Sequence, residues 1–403
     1  MKRICVLGLG YMGLPMAGFL TKVGYNVLGV DINKKKALEV NKGICPFSEP
    51  GLADLVKTAH KSGRLQATNQ IEHCDVYIIS VPTPKKGNRA ELKFVDSATR
   101  MIATVMQEGD LVILESTVSP NTCKNLMKPI LDKKVKKYYL AHCPERAIPG
   151  RTLHEMIHND RIIGGIDQAS TLAAKNIYQK FIKGKIHLTD ITTAECCKLM
   201  ENTFRDVNIA LANDYAKVAE ELGINIYEAI KLANLHPRVN IHQPGPGVGG
   251  HCIAIDPWFL VENTKNGDLI RLSRRINDGM PDYVVNKIIR LMKKFNCKKV
   301  AILGVAYKKN VDDARETPAE HVICGLLKKK ISIKITDPYV IDFPYKLDKL
   351  PTVLKWCDLA VVITDHDDYR KITWQKNKNI KVVFDTRDVI KKSEKIIKLS
   401  DKI

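Results

Sequence analysis

Arg3-Ile4-Cys5-Val6-Leu7-Gly8-Leu9-Gly10-Tyr11-Met12-Gly13 is the stretch on which the fold turns. A short apolar run of strand character ends in Gly-x-Gly-x-x-Gly, and a helix is predicted to open at once behind it. Asp31 closes the next apolar run, 18 residues after Gly13. Strand, glycine turn, helix and acidic residue in that order make the dinucleotide fingerprint. Gly8 permits the tight turn, Gly10 lets the backbone approach a pyrophosphate, and Gly13 lets helix and strand pack closely. The helix N-terminus, with Tyr11 and Met12 in its opening turn, offers amides and a positive dipole end to phosphates. Asp31 is expected to accept hydrogen bonds from ribose hydroxyls. Its charge repels a 2′-phosphate, so NAD is favoured over NADP, although Lys34 to Lys36 weaken that preference. The bland reading is a glycine turn that binds nothing, and the strand–turn–helix context argues against it.

Outward from this turn, residues 1 to 188 alternate strand and helix patterns, as βαβ units do. Candidate strands are 3–8, 26–31, 75–81, 111–115 and 138–142. From about 190 to 235, Ala194, Leu199, Phe204, Ile209, Ala212, Ala216 and Ala219 recur at helical spacing with no Gly or Pro before Gly223. This predicts one long helix and then a shorter one. A Gly/Pro-rich loop, 243–252, follows, with more helix to about 296. Candidate strands at 299–304, 332–336, 358–364 and 381–385 start a second alternating region. The expected class is α/β: two Rossmann-like doubly wound domains joined by a long central helix and a helical middle domain. The boundaries are placed at 1–188, 189–296 and 297–403.

Composition excludes several classes. Of 403 residues, 45% are apolar and 27% charged, the balance of a chain with sizeable cores. No run approaches the roughly 20 apolar residues of a membrane helix. The opening residues enter a strand with no apolar leader and cleavage site, so a cytoplasmic protein with no membrane partner is expected. Eleven scattered cysteines without a C-x-x-C pair or a Cys/His cluster predict reduced thiols and no metal. The net charge of +20 raises nucleic acid as a partner. The lysines are dispersed, however, without aromatic interleaving or a nucleic-acid module, so no nucleic-acid partner is expected and the charge suits an anionic small substrate.

Gly249-Gly250-His251-Cys252 is the second signal. A thiol flanked by glycines is sterically open, and a helix starting near Cys252 would favour the thiolate. Asp256, one turn on, would face the same way. Among eleven cysteines, a packed cysteine beside a turn is an equally good reading of the loop alone. A dinucleotide site in the same chain shifts the balance, because a thiol plus NAD can trap an aldehyde and carry it to a thioester.

With these motifs stand Val81-Pro82-Thr83-Pro84, Glu115-Ser116-Thr117-Val118, Cys143-Pro144-Glu145-Arg146-Ala147-Ile148-Pro149-Gly150, Lys198-Leu199-Met200-Glu201-Asn202 and Tyr307-Lys308-Lys309. In this order, and over nearly the whole chain, they resemble the nucleotide-sugar 6-dehydrogenases, the family of UDP-glucose, GDP-mannose and UDP-N-acetylhexosamine dehydrogenases. Pro144 to Gly150 and His236 to Gly247 look most like the branch that oxidises UDP-N-acetylmannosamine. UDP-N-acetylglucosamine is the next substrate in line and UDP-glucose the third.

The resemblance implies a role for each matched residue. Cys252 would be the nucleophile. Lys198 would stabilise charge on the C6 oxygen or shuttle its proton. Asn202 and Arg205 would share its helical stripe. Glu145 would position a water that hydrolyses the thioester, and Thr117 and Asp256 would hold the same water network. Thr83, Thr117 and Arg315 would lie on the cofactor side. Arg146, Ala147, His242, Gly249 and Lys308 would line the substrate, and Arg238 would reach a neighbouring subunit's sugar. The sugar would lie in a cleft between an N-terminal NAD-binding domain and a C-terminal nucleotide-binding domain, in a homodimer or an assembly of dimers.

Two other readings compete. A β-hydroxyacid dehydrogenase also begins much like Gly8 to Ala17, but performs one oxidation, needs no thiol and lacks a third domain such as 297–403. A basic dinucleotide-sensing or nucleic-acid-binding protein would bind in a salt-sensitive way and turn nothing over.

Overall fold

The computed structural model describes residues 2–148, 150–250 and 252–403. Its first sheet has eight strands. Leu65–Thr68, Asn26–Val30, Arg3–Leu7, Val76–Ile79, Leu111–Leu114 and Tyr139–His142 lie side by side in that spatial order, all parallel. Within the sheet this is the third, second, first, fourth, fifth and sixth strand. The winding reverses between Arg3–Leu7 and Val76–Ile79, and a ligand crevice opens outside the carboxyl ends of strands at such a reversal. Val76–Ile79 and Leu111–Leu114 are buried throughout, as expected where helices cover both faces.

Strands beyond the predicted set complete the sheet. Leu65–Thr68 closes one edge with alternating burial. At the other end Arg161–Gly165 pairs antiparallel with Tyr139–His142, and Ile186–Asp190 runs parallel beside Arg161–Gly165. Their sequences hide them for physical reasons. Ile186–Asp190 is an edge strand with no fully buried residue, and Arg161–Gly165 opens on a charge and closes on two glycines. Neither gives an apolar run.

The second sheet has five parallel strands in the order Ser332–Thr336, Lys299–Leu303, Leu359–Val362, Val382–Asp385, Ile396–Lys398. It too is doubly wound, and its reversal lies between Lys299–Leu303 and Leu359–Val362.

The predicted long helix is Ile191–Leu222, 32 residues, followed by Ile226–Ala233. Asn225 starts the shorter one by accepting from the amide of Tyr227 at 3.1 Å. Ala212, Ala216 and Ala219 belong to the same buried cluster as Met280, Val284 and Ile288 of the Asp268–Lys294 helix. Phe204, whose spacing places it on the buried face, is instead 60% exposed. The helix is apolar on two faces, and spacing alone does not say which one the chain itself covers.

The chain divides into two compact units: residues up to Met200 with Trp258–Asn263, and Glu201–Pro257 with Thr264–Ile403. Among the described residues, no helix is long and apolar enough to cross a membrane.

Candidate active site

The glycine turn has the geometry its spacing predicts. Gly8 has φ of +94°, and a Cβ there would fall 2.3 Å from the Ser80 carbonyl oxygen. A Cβ on Gly13 would fall 1.8 Å from the Gly8 carbonyl oxygen, so helix and turn touch backbone to backbone. Around Gly10 there is nothing within 4 Å of a Cβ. The two glycines expected to be bare for packing are crowded, and the one expected to admit a ligand faces open space. No side chain caps the Gly13–Lys22 helix. Its first amides are therefore not taken up by a capping side chain, as a phosphate site at a helix N-terminus requires.

Asp31 is buried and tied down. Its Oδ2 accepts from the Leu9 amide at 2.9 Å and from Lys36 Nζ at 2.8 Å, and Oδ1 accepts from the Asn33 amide at 2.9 Å. Burial pushes its carboxyl up, but the Lys36 hydrogen bond and the two amides outweigh that and hold it below the usual range. Ile32, which no sequence motif marks, is 83% exposed beside it, an apolar surface of the kind a nucleobase covers. These residues fit a dinucleotide carrying free ribose hydroxyls.

Ser116 binds the two strand-end loops of this sheet together. Its Oγ donates to the Val81 carbonyl at 2.7 Å and accepts from the Val81 amide at 2.9 Å. This sets Thr83, buried, and Thr117, half-buried, on adjacent loops at the carboxyl ends of parallel strands. Glu145 follows Tyr139–His142, the next strand of the sheet beyond Leu111–Leu114. Its Oε1 accepts from the amides of Arg146 at 2.7 Å and Ala147 at 2.8 Å, which makes it a turn cap. Its Oε2 accepts from Arg161 Nη1 at 2.8 Å. The Arg146 side chain bonds to the Asp160 carbonyl, and Ala147 packs on the core.

Asn202, Arg205 and Asp256 form one network. Asn202, fully buried, donates from Nδ2 to Asp256 Oδ2, and its own Oδ1 accepts from Arg205 Nη2. Asp256 begins a six-residue helix, Asp256–Val261. Cys252 is exposed and lies one turn before that helix, its carbonyl accepting from the amides of Ile255 and Asp256 at 3.0 and 2.9 Å. The expected helix start near Cys252 is displaced: the residue opens a turn and the helix proper begins at Asp256. Lys198 is half-buried, four residues before Asn202 on the long helix and within the other compact unit. His251 lies outside the described residues.

Glycine is required in the loop before Cys252. A Cβ on Gly249 would fall 2.8 Å from the Glu316 carbonyl oxygen, and one on Gly250, at φ +85°, would fall 2.9 Å from the Tyr307 ring. Further back, Asn213 Oδ1 accepts from the Gly245 amide at 2.8 Å while its Nδ2 donates to Asn277 at 2.9 Å, so the buried helices hold the loop at its root. His242 meets Phe204 edge to face at 6.5 Å. Arg238 is exposed, with its amide directed at His236.

In the second sheet, the loop carrying Lys308 is fixed at its winding reversal. Asp337 Oδ2 accepts from the amides of Val305 and Ala306 and from His366 Nε2 at 3.0 Å. His366 Nδ1 accepts from the Asn310 amide at 2.9 Å, so the ring proton is on Nε2. Burial pushes Asp337 up, but His366 and the amides prevail and hold the carboxyl at about 2. Lys308 belongs to this loop and is exposed, as are Lys309 and Asn310, while Tyr307 is half-buried. Arg315, exposed, is paired with Asp313 at 2.6 Å. Arg387, which no motif announces, lies where a Cβ on Gly245 would meet its Nη1 at 2.4 Å.

Comparison with known proteins matches this chain to three consecutive parts of one family: the NAD-binding domain over residues 2–182, the central domain over 192–279 and the UDP-binding domain over 301–392. UDP-N-acetyl-D-mannosamine dehydrogenase of Methanocaldococcus jannaschii is 49% identical over 96% of this chain and 93% of its own length. NDP-N-acetyl-D-galactosaminuronic acid dehydrogenase of Ralstonia nicotianae is 39% identical over 96% of both chains. Among solved structures, the UDP-D-ManNAc dehydrogenase from Pyrococcus horikoshii superposes with a TM-score of 0.92 at 39% identity, covering 99% of each chain. The fold is thus shared over nearly its whole length with a solved dehydrogenase, and the chain belongs to the UDP-glucose/GDP-mannose dehydrogenase family, with NAD as its cofactor.

Proposed function

We propose that this enzyme oxidises the C6 hydroxyl of UDP-N-acetyl-D-mannosamine twice, giving UDP-N-acetyl-D-mannosaminuronate through a covalent bond to Cys252. The observation that carries the reading is an exposed thiol on an obligatory glycine loop, one turn from the buried Asp256–Asn202 pair that Arg205 extends. The choice of sugar is supported by relatives of that name at 46–49% identity over nearly the whole chain.

Bound NAD supplies the acceptor for the two hydrides that C6 gives up. Gly8, Gly10, Tyr11, Met12 and Gly13 hold its pyrophosphate, Asp31 its ribose, and Thr83, Thr117 and Arg315 the reacting end. Lys198 takes the hydroxyl proton or steadies the oxygen during the first oxidation. The Cys252 thiolate adds to the aldehyde carbon, and Asn202 with Lys198 stabilises the oxygen of the thiohemiacetal. After the second oxidation a thioester remains. Glu145, with Thr117 and Asp256, orients a water, whose oxygen attacks the thioester carbon. The carbon–sulfur bond breaks, the acid is released, and the thiol is regenerated.

Residues 1–188 carry the cofactor, 189–296 the catalytic loop and a dimer contact, and 297–403 the uridine diphosphate. Lys308 engages the nucleotide, while Arg146, Ala147, Arg205, His242 and Gly249 shape the sugar end. Arg238 serves a neighbouring copy. The enzyme works in the cytoplasm and feeds an aminouronic acid to polysaccharide biosynthesis.

The test is NADH production against a panel of nucleotide sugars. Two NADH per UDP-N-acetylmannosamine, with that sugar preferred, is the expected result. Preference for UDP-N-acetylgalactosamine, in line with the Ralstonia relative, or for UDP-N-acetylglucosamine or UDP-glucose, overturns the sugar but not the chemistry. One NADH per sugar overturns the chemistry.

A further inference from the structure

A buried charge cluster stands behind Glu145, and no step of the proposed reaction uses it. Arg161, 3% exposed, donates from Nη1 to Glu145 Oε2 at 2.8 Å and from Nη2 to the Met156 carbonyl at 3.4 Å. Its guanidinium carbon lies 5.4 Å from the centre of the Tyr178 ring. The Tyr178 hydroxyl in turn donates at 2.7 Å to Oε1 of Glu115, which is 2% exposed. Glu115 Oε2 is buried with no hydrogen-bond partner. A single guanidinium thus faces two buried carboxylates.

If the role were only to close a buried ion pair, one carboxylate would suffice. A second one adds desolvation cost and repulsion without its own cation. The arrangement makes sense where the charge of Arg161 is divided between its neighbours. With Glu115 neutral, the arginine stabilises the Glu145 carboxylate in full. With Glu115 ionised, that stabilisation is shared between the two carboxylates.

Resting on the proposed role of Glu145, we propose that Arg161 is the positioning residue of the thioester-hydrolysis step, and that Glu115, through Tyr178 and Arg161, sets how strongly Glu145 takes the proton of the attacking water. The step balances simply. The water oxygen bonds to the thioester carbon, the carbon–sulfur bond breaks with its electron pair going to Cys252 sulfur, and one water proton passes to Glu145 and then to solvent or the thiolate. No redox partner is involved. Burial raises the Glu115 carboxyl, the Arg161 charge lowers it and the Glu145 charge raises it again, which leaves it at about 7. The titratable and charged groups facing it are Arg161, Glu145, Cys143 and Tyr178.

The experiment uses the full-length enzyme with NAD and UDP-N-acetylmannosamine, acid-quenched at intervals, with the uronyl adduct on the protein followed by intact mass. Circular dichroism and a melting curve accompany each variant. Arg161→Met should form the adduct and release it about tenfold or more slowly, and Arg161→Lys should recover part of that loss. The parent enzyme's adduct decay should rise with pH near neutrality, and Glu115→Gln, which keeps an acceptor for Tyr178, should lose that rise. Parental decay rates in a folded Arg161 variant, or an unchanged pH profile in Glu115→Gln, overturn the proposal. Glu145→Gln separates the two levels. If it too releases the adduct at the parental rate, the assigned role of Glu145 has failed; if it traps the adduct while the Arg161 and Glu115 variants do not, only this inference has.

Discussion

Gly10 and Gly13, three residues apart, predict opposite outcomes for one substitution. An alanine Cβ at Gly10 meets nothing of the protein, whereas at Gly13 it runs into the Gly8 carbonyl. Gly10→Ala should therefore melt within a degree or two of the parent but bind NAD at least about tenfold more weakly, because the methyl occupies the path of the pyrophosphate. Gly13→Ala should lose cofactor affinity and about 3 kcal/mol of stability or more, since backbone rather than a flexible side chain has to move. Paired calorimetric titrations and melting curves check both; equal melting losses in the two variants would contradict the division of roles. At Glu115 the expectation concerns pH. Its carboxyl, ordinarily near 4.5, is pushed by burial to about 7. A carboxyl whose affinity for the proton is raised by folding contributes stability below its unfolded value and loses it as pH climbs through the folded one. The parent should thus weaken between pH 4.5 and 7 relative to Glu115→Gln, by up to about 3 kcal/mol, and the gap should level off above pH 7. Melting curves of the two proteins from pH 4 to 8 measure it.

At the scale of elements, what is legible in the sequence follows from burial. Arg3–Leu7, Asn26–Val30, Val76–Ile79 and Leu111–Leu114 lie within the sheet, are almost wholly apolar, and read as strands. Leu65–Thr68 and Ile186–Asp190 close the two edges, where one face or more meets water, and their composition does not distinguish them from loops. The candidate site divides along similar lines. Glycine spacing and the loop ending at Cys252 announce themselves because backbone geometry restricts which residue fits. Arg161 does not, since its partner Glu145 is sixteen residues away and only the folded sheet joins them; a charge opening the short Ile-Ile-Gly-Gly stretch gives no strand signal that would mark it. The root of the proposed catalytic loop can be tested as an element. Asn213→Ala removes the acceptor for the Gly245 amide and leaves a buried donor unpaired, at a cost of about 1–3 kcal/mol. It should also lower kcat by loosening the segment that carries Cys252, without weakening NAD binding. A variant with parental kcat would show that the loop is held elsewhere.

For the whole molecule, the Ile191–Leu222 helix bears on assembly. Met200, Phe204, Leu211, Tyr215, Val218 and Leu222 are all exposed, and their spacing of four, seven, four, three and four residues follows a heptad seam along one side. A seam of this kind left to water invites association, and a second copy of the chain is the proposed partner. Leu211→Asp combined with Val218→Asp should convert the assembly to smaller species in light scattering, with the melting temperature becoming independent of protein concentration. An unchanged mass would place the contact on another surface.

At the centre stands the Cys252 sulfur, proposed to carry the sugar between its two oxidations. Its most direct test counts NADH per molecule of UDP-N-acetylmannosamine consumed by the parent enzyme and by Cys252→Ala. Two are expected for the parent and at most one for the variant, which can release an aldehyde but cannot hold it for the second step. Two NADH per sugar from Cys252→Ala would contradict a covalent role for the thiol.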